Sequence, residues 1–211
     1  MIYYNSGRTI LPLSRLVLAS NNMNKLREFE EMFSTYNINI IPQSKLGVPE
    51  VNELFPTFIE NALAKARQAA EYSGLPAIAD DSGLCVRALH GKPGIYSARY
   101  VQRADTKKRN STNSKYLTDQ LKGINDRFAY YYCVLVLIRY VEDPEPIITE
   151  GHLNGEIIDR PRGMNGFDYD PYFYLPSLRL TVAEIDPAIK NNISHRSLAL
   201  KLLLSRLLEE K

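Results

Sequence analysis

Apolar positions along this chain alternate between short continuous runs and stripes at helical spacing, a pattern that predicts strands exchanging with helices. Leu16-Val17-Leu18-Ala19 is such a run, followed by the polar turn Ser20-Asn21-Asn22-Met23-Asn24-Lys25 and a stripe at Leu26, Phe29, Met32 and Phe33. This reads as strand, turn, helix. A second short strand falls at Asn39–Ile41, and Gln43 to Pro56 is rich in turn formers with scattered acids. Thr57 followed by Glu60 forms a capping-box pattern, after which Ile59, Leu63, Ala66 and Ala70 make one helical stripe that stops at Gly74 and Pro76. Ala77-Ile78-Ala79 predicts a strand, and Asp80-Asp81-Ser82-Gly83 a sharp polar corner before Leu84-Cys85-Val86. Between Asp105 and Asn125, Tyr116, Leu117 and Leu121 are spaced for a modest helix. Tyr130 to Tyr140 is apolar on both alternating faces, as a central strand requires. Further strands are expected at Ile147–Glu150 and Gly155–Ile158, and a closing helix at Ser197–Leu208 that buries Leu200, Leu203, Leu204 and Leu207. Met1 to Ser14 shows no period and reads as an N-terminal extension, with the organised chain at 15–211 and no internal repeat. The exchange of strands and helices predicts an α/β class, and the neighbouring strands after Phe128 add an antiparallel or mixed part of the sheet.

Composition narrows the functional classes. At 211 residues, 45% hydrophobic and 24% charged, the chain can bury a substantial core as one domain or two closely packed lobes. A formal charge of +2 argues against a protein that coats nucleic acid, work that calls for a strongly basic face. Cys85 and Cys133 sit in apolar surroundings without neighbours at ligand spacing, which predicts buried thiols rather than a disulfide or zinc site. Pro12 and Arg15 break the N-terminal apolar stretch, so no export signal is expected. The longest apolar run ends at Arg139, well short of the roughly 20 residues a membrane helix needs. No membrane partner and a cytoplasmic location are the resulting expectations.

Four places carry side chains suited to chemistry. The Ser20–Lys25 turn offers a hydroxyl, carboxamides, helix-start N–H groups and an ammonium, all fit for phosphate oxygens; taken alone, the same residues read more readily as an ordinary helix cap. Asp80 and Asp81 are adjacent carboxylates between apolar runs, able to hold Mg²⁺ and orient a water or simply to make a turn. Glu50 and Glu53 upstream are candidates for a further ligand. Gly166-Phe167-Asp168-Tyr169-Asp170-Pro171-Tyr172-Phe173 joins aromatic faces to two acids, a composition for holding a purine or for packing a core. Lys190 and Ser194-His195-Arg196 place cations and donors before the last helix, for phosphate or base oxygens or for capping, and Arg99 is open in the same way.

Taken in order from about Leu16 to Leu208, these segments resemble the inosine triphosphate pyrophosphatase family, which includes the bacterial dITP/XTP pyrophosphatases. The likeness covers Ser20–Lys25, Thr57-Phe58-Ile59-Glu60-Asn61-Ala62, Asp80–Leu84, Pro93-Gly94-Ile95-Tyr96-Ser97-Ala98-Arg99, Gly166–Phe173 and Ser194–Arg196. It implies an elongated, curved mixed sheet flanked by helices, two lobes with a central active-site cleft, and a homodimer. The implied reaction splits non-canonical purine triphosphates such as ITP, dITP and XTP into monophosphate and pyrophosphate, with Mg²⁺ as cofactor. By this resemblance Ser20, Asn21, Asn22, Met23, Asn24 and Lys25 bind the triphosphate, and Glu53 and Asp81 hold the metal. Asp81 also accepts the proton. Ser82, Phe167, Asp168, Tyr169, Asp170, Lys190, His195 and Arg196 complete the substrate contacts, the last two reading a keto group at purine position six. Alternatives are a related nucleotide pyrophosphatase with another base preference, or a nucleotide sensor without turnover. Two departures touch proposed ligands: Asp168 stands where the family's loop usually has glycine, and Leu54-Phe55 replace a Thr-Gly pair after Glu53.

Overall fold

The computed structural model describes residues 4–5, 8–9, 13–34, 36–51, 54–103, 112–166 and 168–209. Glu53, Phe167, the Asn24 side chain and residues 105–111 of the expected helix lie outside this set. In chain order the strands are β1 Tyr4–Asn5, β2 Arg8–Thr9, β3 Arg15–Leu18, β4 Asn39–Pro42, β5 Ala77–Val86, β6 Phe128–Ile138, β7 Ile147–Ile157, β8 Phe173–Leu175 and β9 Leu180–Thr181. The helices are α1 Met23–Ser34, α2 Phe58–Ser73, α3 Asn113–Gln120, α4 Pro187–Ile193 and α5 His195–Glu209. Among the described residues β1 and β2 pair only with each other. The other strands form one sheet in the order β4-β3-β5-β6-β7-β8-β9. It is mixed: β3 runs parallel to β4 and β5, whereas β7, β8 and β9 pair antiparallel. Parallel neighbours need crossovers, and α1 and α2 supply them between β3, β4 and β5.

The chain folds into two compact units, Met1–Asp81 with Val134–Glu150 and Ala199–Lys211, and Ser82–Cys133 with Gly151–Leu198. In the first, β3 is buried from Leu16 to Leu18, and Leu26, Phe29 and Phe33 of α1 are buried as the stripe requires. The Phe29 and Phe33 rings stack with centroids 6.1 Å apart. α2 starts where Thr57 accepts a hydrogen bond from Glu60 N and ends at Gly74, whose left-handed backbone lets its N–H reach Ala70 O. Its buried residues are Asn61, Ala62, Ala66, Ala69 and Ala70, the alanines being small enough to let a helix axis approach a sheet closely, while Ile59 and Leu63 of the expected stripe are only partly buried. In the second unit Leu84, Val86, Leu117, Leu121, Phe173 and Val182 belong to one buried cluster.

Three local expectations are corrected. The polar corner at Asp80–Gly83 does not exist, because β5 runs unbroken from Ala77 to Val86 with both aspartates buried. Each carboxylate has a lysine partner, so polar side chains interrupt the apolar run without ending the strand. The two short strands after Pro146 are one strand, β7. Gly155 is a point of close approach in it and no turn: a Cβ there would lie 2.5 Å from the Phe173 ring and from Tyr174 O. The last helix begins at His195, since Ser194 Oγ accepts from Ser197 N and caps it. Both cysteines are free and buried, as expected, and burial pushes the Cys85 thiol up. No helix among the described residues is long and apolar enough to cross a membrane.

Candidate active site

The first group of site residues is built where β3 hands over to α1. Ala19 N still donates to Ile78 O (2.8 Å), and then the chain turns. Ser20 Oγ accepts from Asn22 N (3.2 Å), and Asn22 Oδ1 accepts from Lys25 N (3.3 Å), so Asn22 caps the helix. Asn21 Nδ2 donates to Glu50 (2.7 Å), and Met23 is exposed. The turn is therefore a helix cap and also an anion-receptive helix start, for the first-turn N–H groups of α1 carry the positive end of its dipole.

Neighbouring residues of a strand project from opposite sides, and β5 uses this at Asp80 and Asp81. Lys25 Nζ lies 2.8 Å from Asp80 Oδ2. Lys65, from α2, lies 2.7 Å from Asp81 Oδ1 and donates to the Asp80 carbonyl at 3.3 Å. Buried carboxylates are tolerable only with such partners. Sequence reasoning missed Lys65, although a signal was present: Asn61, Lys65 and Gln68 form a polar line beside the alanine stripe of α2. All three grip the surroundings of the site. Asn61 accepts from Phe55 N and donates to Phe55 O, both at 3.1 Å, and Gln68 donates to Pro49 O at 3.1 Å. The segment on either side of Glu53 is thus tied to α2, with Leu54 and Phe55 exposed. Glu60 is engaged at the helix start, its N–H donating to Thr57 Oγ1 at 3.3 Å and its carboxylate accepting from the same hydroxyl at 2.5 Å, in place of the reciprocal backbone bond of a capping box. Among the described residues no three His, Cys, Asp or Glu side chains converge as a metal cluster.

The second group lies in the other unit and is built around the loop 166–170. Asp170 is buried, accepting from Tyr131 Oη at Oδ1 and from Lys190 Nζ at Oδ2, each at 2.9 Å. Gly166 must be glycine, because a Cβ there would collide with the Asp170 carboxylate. Burial first, and the Asp170 charge second, hold the Tyr131 phenol well above its ordinary pKa, so it stays a donor. Tyr131 also stacks on His195, centroids 5.0 Å apart at 13°. Arg196 Nη2 donates to Ser82 Oγ at 3.3 Å. Tyr169 is 3% exposed and donates its hydroxyl to Ser97 O at 2.8 Å. Ser97 in turn accepts from Leu84 N (2.8 Å) and donates to Gly94 O (2.6 Å), which gives the Pro93–Arg99 segment a structural task. Asp168 accepts from Asn113 Nδ2 at 3.0 Å; burial, and less so the Asp170 charge, raise its carboxyl pKa against that bond. Tyr131 and Asn113 were not anticipated, since neither stands in a motif.

Comparison with known proteins adds the following. The model of the Ham1 family matches residues 16–206. The chain is 61% identical over 194 residues to a dITP/XTP pyrophosphatase of Burkholderia pseudomallei, covering 92% of this chain and 93% of the relative. It is 53% identical over 193 residues to a dITP/XTP pyrophosphatase of Neisseria meningitidis, covering 92% and 96%. Among solved structures, a HAM1 protein from Coxiella burnetii superposes with a TM-score of 0.86 at 44% identity, covering 92% of this chain and 98% of that one. A nucleoside-triphosphatase / dITP/XTP pyrophosphatase from Mycobacterium abscessus gives 0.72 at 36% identity, covering 92% and 99%.

Proposed function

This chain belongs to the Ham1 family, and on that premise we propose that it hydrolyses non-canonical purine nucleoside triphosphates to the monophosphate and pyrophosphate. The observation that carries this reading is the buried pair Asp80 and Asp81, each ion-paired to a lysine, on the strand next to the α1 helix start. In this reading water attacks the α-phosphorus, the bond from that phosphorus to the α–β bridging oxygen breaks, and pyrophosphate leaves. Asp81 takes the proton of the attacking water. The Ser20–Lys25 turn and Lys65 hold phosphate oxygens and offset the charge that develops on them.

The donors at the paired aspartates are hard carboxylate oxygens, without thiol or imidazole among them, which is the donor chemistry Mg²⁺ takes. Asp81 together with Glu53 would hold the ion, and when bound it would neutralise phosphate charge and polarise the reacting phosphoryl group. Lys65 then alternates between pairing with Asp81 and pairing with substrate.

Base selection falls to Phe167, Asp168, Tyr169, Asp170, Lys190, His195 and Arg196, with Ser82 held by Arg196. Donors aimed at a six-keto oxygen would meet the amino group of adenine unpaired, which disfavours ATP. ITP, dITP and XTP are the substrates of this reading, and a homodimeric cytoplasmic enzyme that cleanses the nucleotide pool is its setting, with neither nucleic acid nor membrane as partner. The test is product analysis with Mg²⁺ and ITP, XTP, GTP or ATP in turn. IMP plus pyrophosphate from ITP, with little turnover of GTP and ATP, is expected, and Asp81→Asn should abolish release while the circular dichroism spectrum stays native. IDP plus orthophosphate would place the cleaved bond elsewhere, and nucleotide binding without product would make the protein a sensor.

A further inference from the structure

Among the described residues of the loop 166–170, Gly166 (φ 78°) and Asp168 (φ 52°) take left-handed backbone. Gly166 adopts it freely; Asp168 carries a side chain, and although aspartate visits this region more readily than most residues, it does so at a cost. Asn113, the first residue of α3, offsets that cost. Its Nδ2 donates to Asp168 Oδ2 (3.0 Å) and to Ala98 O (3.2 Å), and its Oδ1 accepts from Val101 N (2.9 Å). Both amide N–H groups and the carbonyl are thereby used. Next along the loop, Tyr169 reaches Ser97 O (2.8 Å). Two consecutive loop residues thus fasten on one segment, Ser97–Val101, just before the chain reaches the buried Asp170.

We propose that Asp168 is a positioning residue for the base: its bond to Asn113 sets the left-handed turn from which Tyr169 and Asp170 emerge, and so controls nucleotide affinity and not the bond-breaking step. This rests on the nucleotide-hydrolase reading above. The side chain acts through the loop, its Oδ2 accepting from Asn113. Half-burial and the nearby Asp170 charge both penalise the Asp168 carboxylate, which is why a dedicated donor stands there.

The experiment measures kcat and KM for ITP and XTP on the full chain and on Asn113→Ala, Asp168→Ala, Asp168→Asn and the double alanine variant. Either alanine change should raise KM roughly three- to tenfold, the scale of one hydrogen bond, with kcat within about twofold. The double variant should be no worse than the worse single. Asp168→Asn, whose amide oxygen accepts the same bond and whose backbone tolerates the same φ, should keep KM within about twofold. A direct carboxylate–substrate contact would instead make Asp168→Asn as damaging as Asp168→Ala and Asn113→Ala harmless, and that pattern overturns the proposal. So does an additive double variant, or a melting temperature that falls while KM stays constant. Should Asn113→Ala fail to fold, Asp168→Ala against Asp168→Asn carries the comparison. A wild-type chain that releases no pyrophosphate overturns the function and leaves the positioning role to be judged by ITP affinity in calorimetry, where the same order of variants is expected and equal affinities refute it.

Discussion

Asp143 shows what a carboxylate can do for stability away from the proposed chemistry. Its side chain is fully buried in the turn between β6 and β7. Burial by itself would raise its pKa; hydrogen bonds from the Arg139 guanidinium (2.7 and 2.8 Å), Arg139 N (2.9 Å) and Glu145 N (3.0 Å) outweigh that and hold it down to about 2. A pKa depressed in the folded state stabilises the fold above the ordinary carboxylate value, and this contribution is lost as pH falls through the folded one. The shift corresponds to roughly 2–3 kcal/mol. Asp143→Asn should therefore be less stable than wild type by roughly that amount at neutral pH, and the gap should close between about pH 4 and pH 2. Urea unfolding at several pH values measures it; a gap that does not vary with pH would refute the assignment.

At the scale of elements, α2 does two jobs along two lines of one helix. The alanine line packs it down, and the polar line Asn61, Lys65, Gln68 reaches the site. Asn61 is 1% exposed and satisfies both backbone groups of Phe55. Asn61→Ala should cost about 1–3 kcal/mol by leaving those groups without their partner. Because Phe55 stands two positions after Glu53 in sequence, the same change should weaken Mg²⁺ activation. Chemical denaturation and a magnesium titration of pyrophosphate release read the two effects, and loss of stability with an unchanged magnesium requirement would confine Asn61 to folding.

On the scale of the whole molecule, the large sheet begins at β3, whose Arg15 pairs with Asn39, while Ser14 O accepts from Asn39 N at 2.9 Å. β1 and β2 form a separate two-stranded sheet. We propose that residues 15–211 are the catalytic domain. Since the large sheet forms without β1 and β2, a chain that starts at Ser14 should keep pyrophosphate release within about twofold and its unfolding free energy within ~1 kcal/mol. A large loss of activity at unchanged stability would give the N-terminal segment a part in the reaction.

How much of this was legible follows from how local each feature is. Caps, stripes and strand runs depend on residues within a turn or two, so Thr57 with Glu60, the α1 stripe and the core of β6 could be read directly, as could the order of motifs that marks the family. The corner expected at Asp80–Gly83 failed for the opposite reason: whether two aspartates end a strand or sit inside one depends on cations brought from elsewhere in the chain. Lys65 reaches Asp81 across 16 positions, Tyr131 reaches Asp170 across 39, and Asn113 reaches Asp168 across 55. Sequence by itself determined the α/β class, most of the elements from β3 to β6 and the residue types suited to phosphate and purine, whereas β8, β9 and α4 were not read from it. Only the tertiary structure decided which partner each buried charge has, because those partners are chosen by the path of the chain through the sheet, which a local pattern does not encode.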